Sequence, residues 1–157
     1  MTRKSLWLLF GGLAMAAAAA LAWWLLTAGS GMQPAQRPVM SGDPAVIATG
    51  KKLYGDYCAS CHGGRLQGQP GWTRRDAEGY LPAPPHDASG HTWHHPTAML
   101  FDIVKHGPAA LAPAGYRSTM PGYGDTLTDE EIIAILSYIR SRWPADIRKR
   151  HDAIDNR

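Results

Sequence analysis

The sequence predicts an all-α domain of about three to five short helices, preceded by a hydrophobic N-terminal helix. Three observations predict it. Apolar residues recur at helical spacing in three separate segments after residue 43, no stretch alternates as a half-buried strand would, and Gly and Pro crowd the residues between. The chain has 157 residues and no internal repeat, enough for one small domain once a leader is set aside. The parse is residues 1–29 as N-terminal signal or membrane anchor, 30–42 as flexible linker, 43–144 as the folded domain and 145–157 as a basic C-terminal tail, whose helical pattern is too brief to separate a fourth short helix from a frayed end.

The leader comes first. After Arg3 and Lys4 no charged residue occurs until Arg37, and Leu6 to Leu26 is an apolar or small run about as long as a bilayer core is thick. Cationic residues before it favour a cytoplasmic N-terminus, which puts the domain outside the inner membrane, facing the periplasm. Ala20-Leu21-Ala22 fits a cleavage pattern that would release a soluble periplasmic domain. Trp23 and Trp24 place aromatics where a membrane interface favours them, and the reading preferred is an uncleaved anchor.

Within the domain, Asp43-Pro44 is a helix start, an N-cap with proline at the first helical position. Val46, Ile47, Leu53, Tyr54 and Tyr57 then supply an apolar face. From Gly63 to Pro96 no periodicity is sustained, and a long ordered or semi-ordered connection is expected. Pro96 opens a second helix with Met99, Leu100, Ile103 and Val104 on one face, and Gly107-Pro108 stops it. Thr128-Asp129-Glu130-Glu131 is a capping box, and Ile132, Ile135, Leu136 and Ile139 stripe the third helix as far as Trp143-Pro144. Three such helices bury too little to hold the long connection unaided, a deficit that a bulky apolar cofactor would fill.

The net charge of +3 misleads about partners. Between Arg37 and Ile139 there are eight Lys/Arg against ten Asp/Glu, and the excess sits at the leader and after Arg140. The domain has no basic face of the kind nucleic-acid binding requires.

The chain's two cysteines lie in Cys58-Ala59-Ser60-Cys61-His62. A disulfide suits an exported protein. A redox-active C-x-x-C is expected beside a βαβ pattern, which is missing here, and zinc would need more ligands than the histidines around His91 offer at suitable spacing. His62 favours a third chemistry, since C-x-x-C-H is the attachment signature of c-type haem. Two thiols meet the vinyl groups and the imidazole rises to the iron from the same turn. One haem c per chain, covalently attached, is therefore expected.

An open sixth position suits an enzyme or sensor, and a filled one suits electron transfer. Met120 is the candidate ligand. Pro121 keeps it out of a helix, and Gly122 and Gly124 let the backbone turn close to a macrocycle. Met99 lies on a helical face where core packing is the expected role. Histidines are the other candidates, and a bis-His site would lower the potential relative to His/Met.

With "GKKLYGDYCASCHG" at the front and "MPGYGDTLTDEEIIAILSYIRSRWP" at the back, the stretch from about Asp43 to Pro144 resembles a class I c-type cytochrome, the monohaem cytochrome c family, of the membrane-anchored bacterial type. The resemblance implies the cytochrome c fold, short helices wrapped around one covalently bound haem, with Cys58 and Cys61 bonded to it and His62 and Met120 as axial ligands. It also implies that the first and last helices cross at Gly50, with Tyr54 and Tyr138 packing there. A carbonyl between Pro82 and Pro85 is expected on the His62 ring, and Trp93 or Arg117 near a propionate. The middle stretch "PAPPHDASGHTWHHP" departs from the short mitochondrial-type pattern.

That stretch holds His86, His91, His94 and His95, a set that invites copper. The plainer reading is loop histidines bonded to propionates, backbone or water. The function implied is a single-electron carrier between respiratory or dehydrogenase complexes and other redox proteins, with no catalytic residues of its own. Two alternatives stand beside it: the haem subunit of a redox enzyme complex, and a haem protein with an added copper-binding or sensing role.

Overall fold

The computed structural model describes Trp23 and residues 38–157. Apart from Trp23, the expected leader lies outside the described residues, as does most of the linker. Among the described residues no helix is long and apolar enough to cross a membrane.

Helix α1, Pro44–Tyr57, starts as its local chemistry dictates: the Asp43 carboxylate accepts from the Ala45 amide at 2.8 Å, and Pro44 takes the first helical position. A one-turn helix α2, Ala59–His62, follows directly and carries Cys61 and His62. Helix α3, Thr97–His106, stops at Gly107, whose φ of 81° suits a residue without a Cβ. Pro108, expected only as a stop, also opens the single turn α4, Pro108–Leu111. Helix α5, Asp129–Ser141, begins in a complete capping box. The Thr128 hydroxyl accepts from the Glu131 amide at 3.2 Å, and the Glu131 carboxylate accepts from the Thr128 amide at 2.9 Å.

The core forms where α1 crosses α5. Gly50 permits the crossing, because a Cβ there would run into the Ala134 carbonyl. Tyr54 packs on Tyr138 beside it with ring centroids 5.5 Å apart. Ile132, Ile135, Leu136 and Ile139 of α5 are all buried, with Trp143, Leu100 and Leu127 around them. Met99 corrects an expectation: 44% exposed, it sits off the buried side of α3, which Leu100 supplies.

The basic segment 145–157, open between a short helix and a frayed tail, forms helix α6, Ala145–Asp155, in the same compact unit as the described residues from Pro38 onward. Ile147 and His151 bury its inner face. Asp155 accepts from the Thr97 amide and hydroxyl at 2.6 and 2.5 Å, and Arg140 pairs with Asp152 at 2.5 Å.

The connection from Gly63 to Pro96 holds one short 3-10 turn, Thr92–His94, and is ordered by cross-loop bonds. The Gly68 amide donates to the His62 carbonyl, Gln69 to Ala83 and His86 to Leu66, each at 2.8–2.9 Å. The Trp143 indole N–H donates to the His86 carbonyl at 2.8 Å, tying the loop to the core. The described residues are helical and contain no strand.

Candidate functional site

The C-x-x-C-H turn sits where α1 gives way to α2. Cys58 breaks the first helix, with a φ of −116°, and the His62 amide closes the turn onto the Cys58 carbonyl at 2.9 Å. Cys58, Cys61 and His62 thereby line one wall region of a cavity of about 500 Å³. Leu100, Ile103 and Val104 from α3 and Ile135, Leu136 and Ile139 from α5 line it too. Its size and apolar walls with a few polar groups are those of a cofactor pocket.

His62 is held with care. It is 7% exposed, and its Nδ1 lies 2.9 Å from the Pro84 carbonyl oxygen, within the Pro82–Pro85 span anticipated for such a contact. A proton on Nδ1, donated to that carbonyl, leaves the Nε2 lone pair for a metal. Burial pushes the imidazole below the usual histidine range and favours the neutral form that ligation requires. The His86 ring stacks on it at 4.0 Å, its Nδ1 2.8 Å from the Thr92 hydroxyl. No pattern in the sequence marked His86 out as the ring beside His62.

Met120 lines the same cavity, together with residues 116–119 and Pro121. The loop just after it is pinned to the end of α3: Tyr123 and Gly124 donate their amides to the Val104 and Lys105 carbonyls at 2.9 Å. A Cβ on Gly122 would strike the His106 backbone, and the Tyr123 hydroxyl reaches the Tyr57 carbonyl at 3.0 Å. Arg117 lines the cavity, its guanidinium over the Tyr80 ring at 4.4 Å. Trp93 is not among the lining residues. Its indole stacks on His94 at 3.6 Å, and the buried Nε1 has no partner among the described residues.

The donor set separates the alternatives. Burial, with Cys61 adding to it, pushes the Cys58 thiol up to about 11, the reverse of what a redox-active C-x-x-C needs. Among the described residues no three His, Cys, Asp or Glu side chains converge as metal ligands, so nothing there favours a zinc site. Copper at His86, His91, His94 and His95 finds no support in the structure either. His86 turns inward to His62 and Thr92, His91 stacks on Trp72 at 5.3 Å, and His94 stacks on Trp93, so that only His91 and His95 remain together, their ring centroids 5.5 Å apart. A c-type haem fits the remaining features: two thiols and an imidazole in one turn, a thioether on the same cavity, and apolar walls between them.

Residues 45–139 match the family model described as cytochrome c oxidase, cbb3-type, subunit III. The chain is 34% identical over 111 residues to the quinohemoprotein alcohol dehydrogenase ADH IIB of Pseudomonas putida, which covers 70% of this chain and 13% of that protein. It is 26% identical over 117 residues to the cbb3-type cytochrome c oxidase subunit FixP of Bradyrhizobium diazoefficiens, covering 71% of this chain and 37% of that subunit. The FixP of a second Bradyrhizobium strain matches to the same extent. The chain thus spans well under two thirds of each of these relatives.

Proposed function

Because this chain belongs to the class I c-type cytochromes, in the family of cbb3-type cytochrome c oxidase subunit III, we propose that it is a periplasmic single-electron carrier with one haem c. Cys58 and Cys61 would hold the group covalently, and His62 and Met120 would supply the imidazole and thioether that ligate its iron. The observation that carries this reading is the shared cavity: the C-x-x-C-H turn and the Met120 loop both line it.

When bound, the haem supplies a one-electron ferric/ferrous couple. The chain's own residues set its terms. The Pro84 carbonyl fixes the His62 ring and its tautomer, the α3 and α5 side chains keep water from the site, and the Met120 thioether on the same cavity would compete with an exogenous ligand for the iron. A His/Met pair raises the potential relative to bis-His. Donors and acceptors are other redox proteins, met in brief, small-area encounters.

The N-terminal run from Leu6 to Leu26 tethers the domain to the inner membrane on its periplasmic side. The intact mass of protein extracted from membranes is expected to include this run. A mass beginning after Ala22 would replace the tether with a soluble carrier.

The relatives favour a second form of the same chemistry. One is named a quinohemoprotein dehydrogenase and another an oxidase subunit, and this chain matches only part of each. The domain would then relay electrons as the haem subunit of a larger oxidoreductase, and co-purification in one detergent-stable complex would select this form.

The ligand set is tested by adding carbon monoxide to the reduced protein. The wild-type spectrum is expected to stay low-spin and unchanged by the gas, and Met120→Ala to bind it readily. Ready binding by the wild type would move the reading to an open site.

A further inference from the structure

The two sides of the Met120 loop are held in different ways. After Met120, backbone bonds fasten the chain to α3. Before it, among the described residues, 113–119 make no backbone hydrogen bond that leaves the loop: the Tyr116 amide turns back to Pro113, and the Met120 amide to the Ser118 hydroxyl. What reaches across from elsewhere is a reciprocal pair of side-chain contacts. The Arg75 guanidinium lies over the Tyr116 ring at 5.3 Å, and the Arg117 guanidinium over the Tyr80 ring at 4.4 Å, with a bond from Arg117 to the Tyr80 hydroxyl at 3.1 Å.

Residues 75–80 are built to present those two side chains. The Tyr80 amide donates to the Asp76 carboxylate at 2.7 Å, the Asp76 amide to the Tyr80 carbonyl at 2.9 Å, and Arg75 Nη1 to the Gly79 carbonyl at 2.6 Å. The turn is thus self-bonded and stiff. Its loop is closed at the base, where the Gln69 and Ala83 backbones and the Gln69 side chain bond one another at 2.9 Å. Each side gives one arginine and one tyrosine, so the contact is cationic face to aromatic face in both directions.

We propose that the Arg75–Tyr116 and Tyr80–Arg117 pairs form a clasp that holds the free flank of the Met120 loop against the cavity and so keeps the thioether on the iron. The clasp rests on the reading of Met120 as the sixth ligand. Arg75 and Tyr80 are positioning residues: neither lines the cavity, and they act through Tyr116 and Arg117, which do. Opening the clasp raises the fraction of molecules with Met120 off the iron, and an exogenous ligand competes for that fraction. Its apparent affinity rises in proportion.

The test uses the full haem-loaded chain in the ferrous state, with carbon monoxide as probe. Arg75→Gln or Tyr80→Leu alone is expected to raise apparent affinity about 2- to 5-fold, and the pair together about 5- to 30-fold, the worth of one and two exposed cation–π contacts. Hydrogen exchange at amides 114–120 is expected to quicken with it, while amides of α5 stay unchanged. Tyr80→Phe, which keeps the ring face, should stay close to wild type. Wild-type affinity and exchange in the double variant, with affinity raised in Met120→Ala, would overturn the clasp and leave the ligand reading standing. Affinity unchanged in Met120→Ala would overturn the ligand reading, and the clasp with it. Should the double variant fail to take up haem, the two single variants decide by the same measures.

Discussion

A single hydrogen atom at Gly50 lets α1 and α5 cross, and the cost of replacing it is readable from what lies there. A Cβ would meet the Ala134 carbonyl oxygen, and backbone on both sides leaves no flexible side-chain end to move aside. Gly55, one and a half turns along the same helix, has nothing within 4 Å of its would-be Cβ. Gly50→Ala is therefore expected to cost about 1–3 kcal/mol of stability. Gly55→Ala should gain about 0.5–1 kcal/mol, because alanine loses less backbone entropy in a helix. Thermal melts of the two variants check this, and equal shifts would mean the crossing is not what Gly50 provides. Composition and spacing do not single out Gly50 among the chain's glycines; resemblance to a family did. Leu66 left no signal of either kind. It is 2% exposed yet has a φ of 68°, a conformation costing a non-glycine residue about 1–2 kcal/mol, and its carbonyl receives the His86 and Asp87 amides. Cys58, Cys61 and His62 were legible because attachment chemistry demands them adjacent in sequence. His86 was not, because the loop brings it to His62 only in space.

Helices α1, α3 and α5 could be read because each carries its own punctuation: Asp43-Pro44, Gly107, and the Thr128–Glu131 box. Helix α6 could not be told from a frayed end, since its buried stripe is only Ile147 and His151 amid arginines and aspartates. That histidine makes α6 sensitive to acid. His151 is fully buried, tilted against Trp143 at 5.1 Å, and neither ring nitrogen has a hydrogen-bond partner at good geometry. Burial pushes its imidazole below the usual range. Asp155, 3.6 Å away, Asp152 and the nearby His95 backbone pull it back in part, while Arg140 pushes the same way as burial. The unfolded chain then binds this proton before the folded one does. Stability is accordingly full above about pH 6.5, falls as pH drops through that value, and levels off below the folded pKa. His86, His91 and His95 are pushed down by burial as well, so the contribution of His151 must be taken as a difference. Urea midpoints at pH 7.5 and 5.0 should fall further in the wild type than in His151→Leu. Parallel losses in the two proteins would show that α6 docks without regard to this ring.

At the scale of the molecule, the helices enclose more space than they fill. The deficit was visible in the sequence as a long Gly- and Pro-rich connection with too few helices to cover it. Its location was not, because the walls come from α2, α3, α5 and two loops far apart along the chain. A dry void of about 500 Å³ would cost about 12 kcal/mol at the rate measured for core cavities, and water entering it would lower that figure while wetting apolar walls. A domain of this size has about 5–15 kcal/mol of stability in all. The two magnitudes are comparable, so the cofactor is expected to serve as core as well as redox centre. The double variant Cys58→Ala, Cys61→Ala, which has no thiol for attachment, should retain far-ultraviolet helical signal yet lose near-ultraviolet signal and cooperative unfolding, as packing is lost before helices are. The 63–96 connection should loosen first, since it holds no long helix and sends Pro84, His86, His91 and His95 to the cavity wall, and the α1–α5 crossing last, since Gly50, Tyr54 and Tyr138 pack directly on one another. Hydrogen exchange resolves that order. A haem-free variant melting cooperatively within a few degrees of the loaded protein would mean that the polypeptide closes the space itself, and the cofactor would then be a guest in a fold that stands without it.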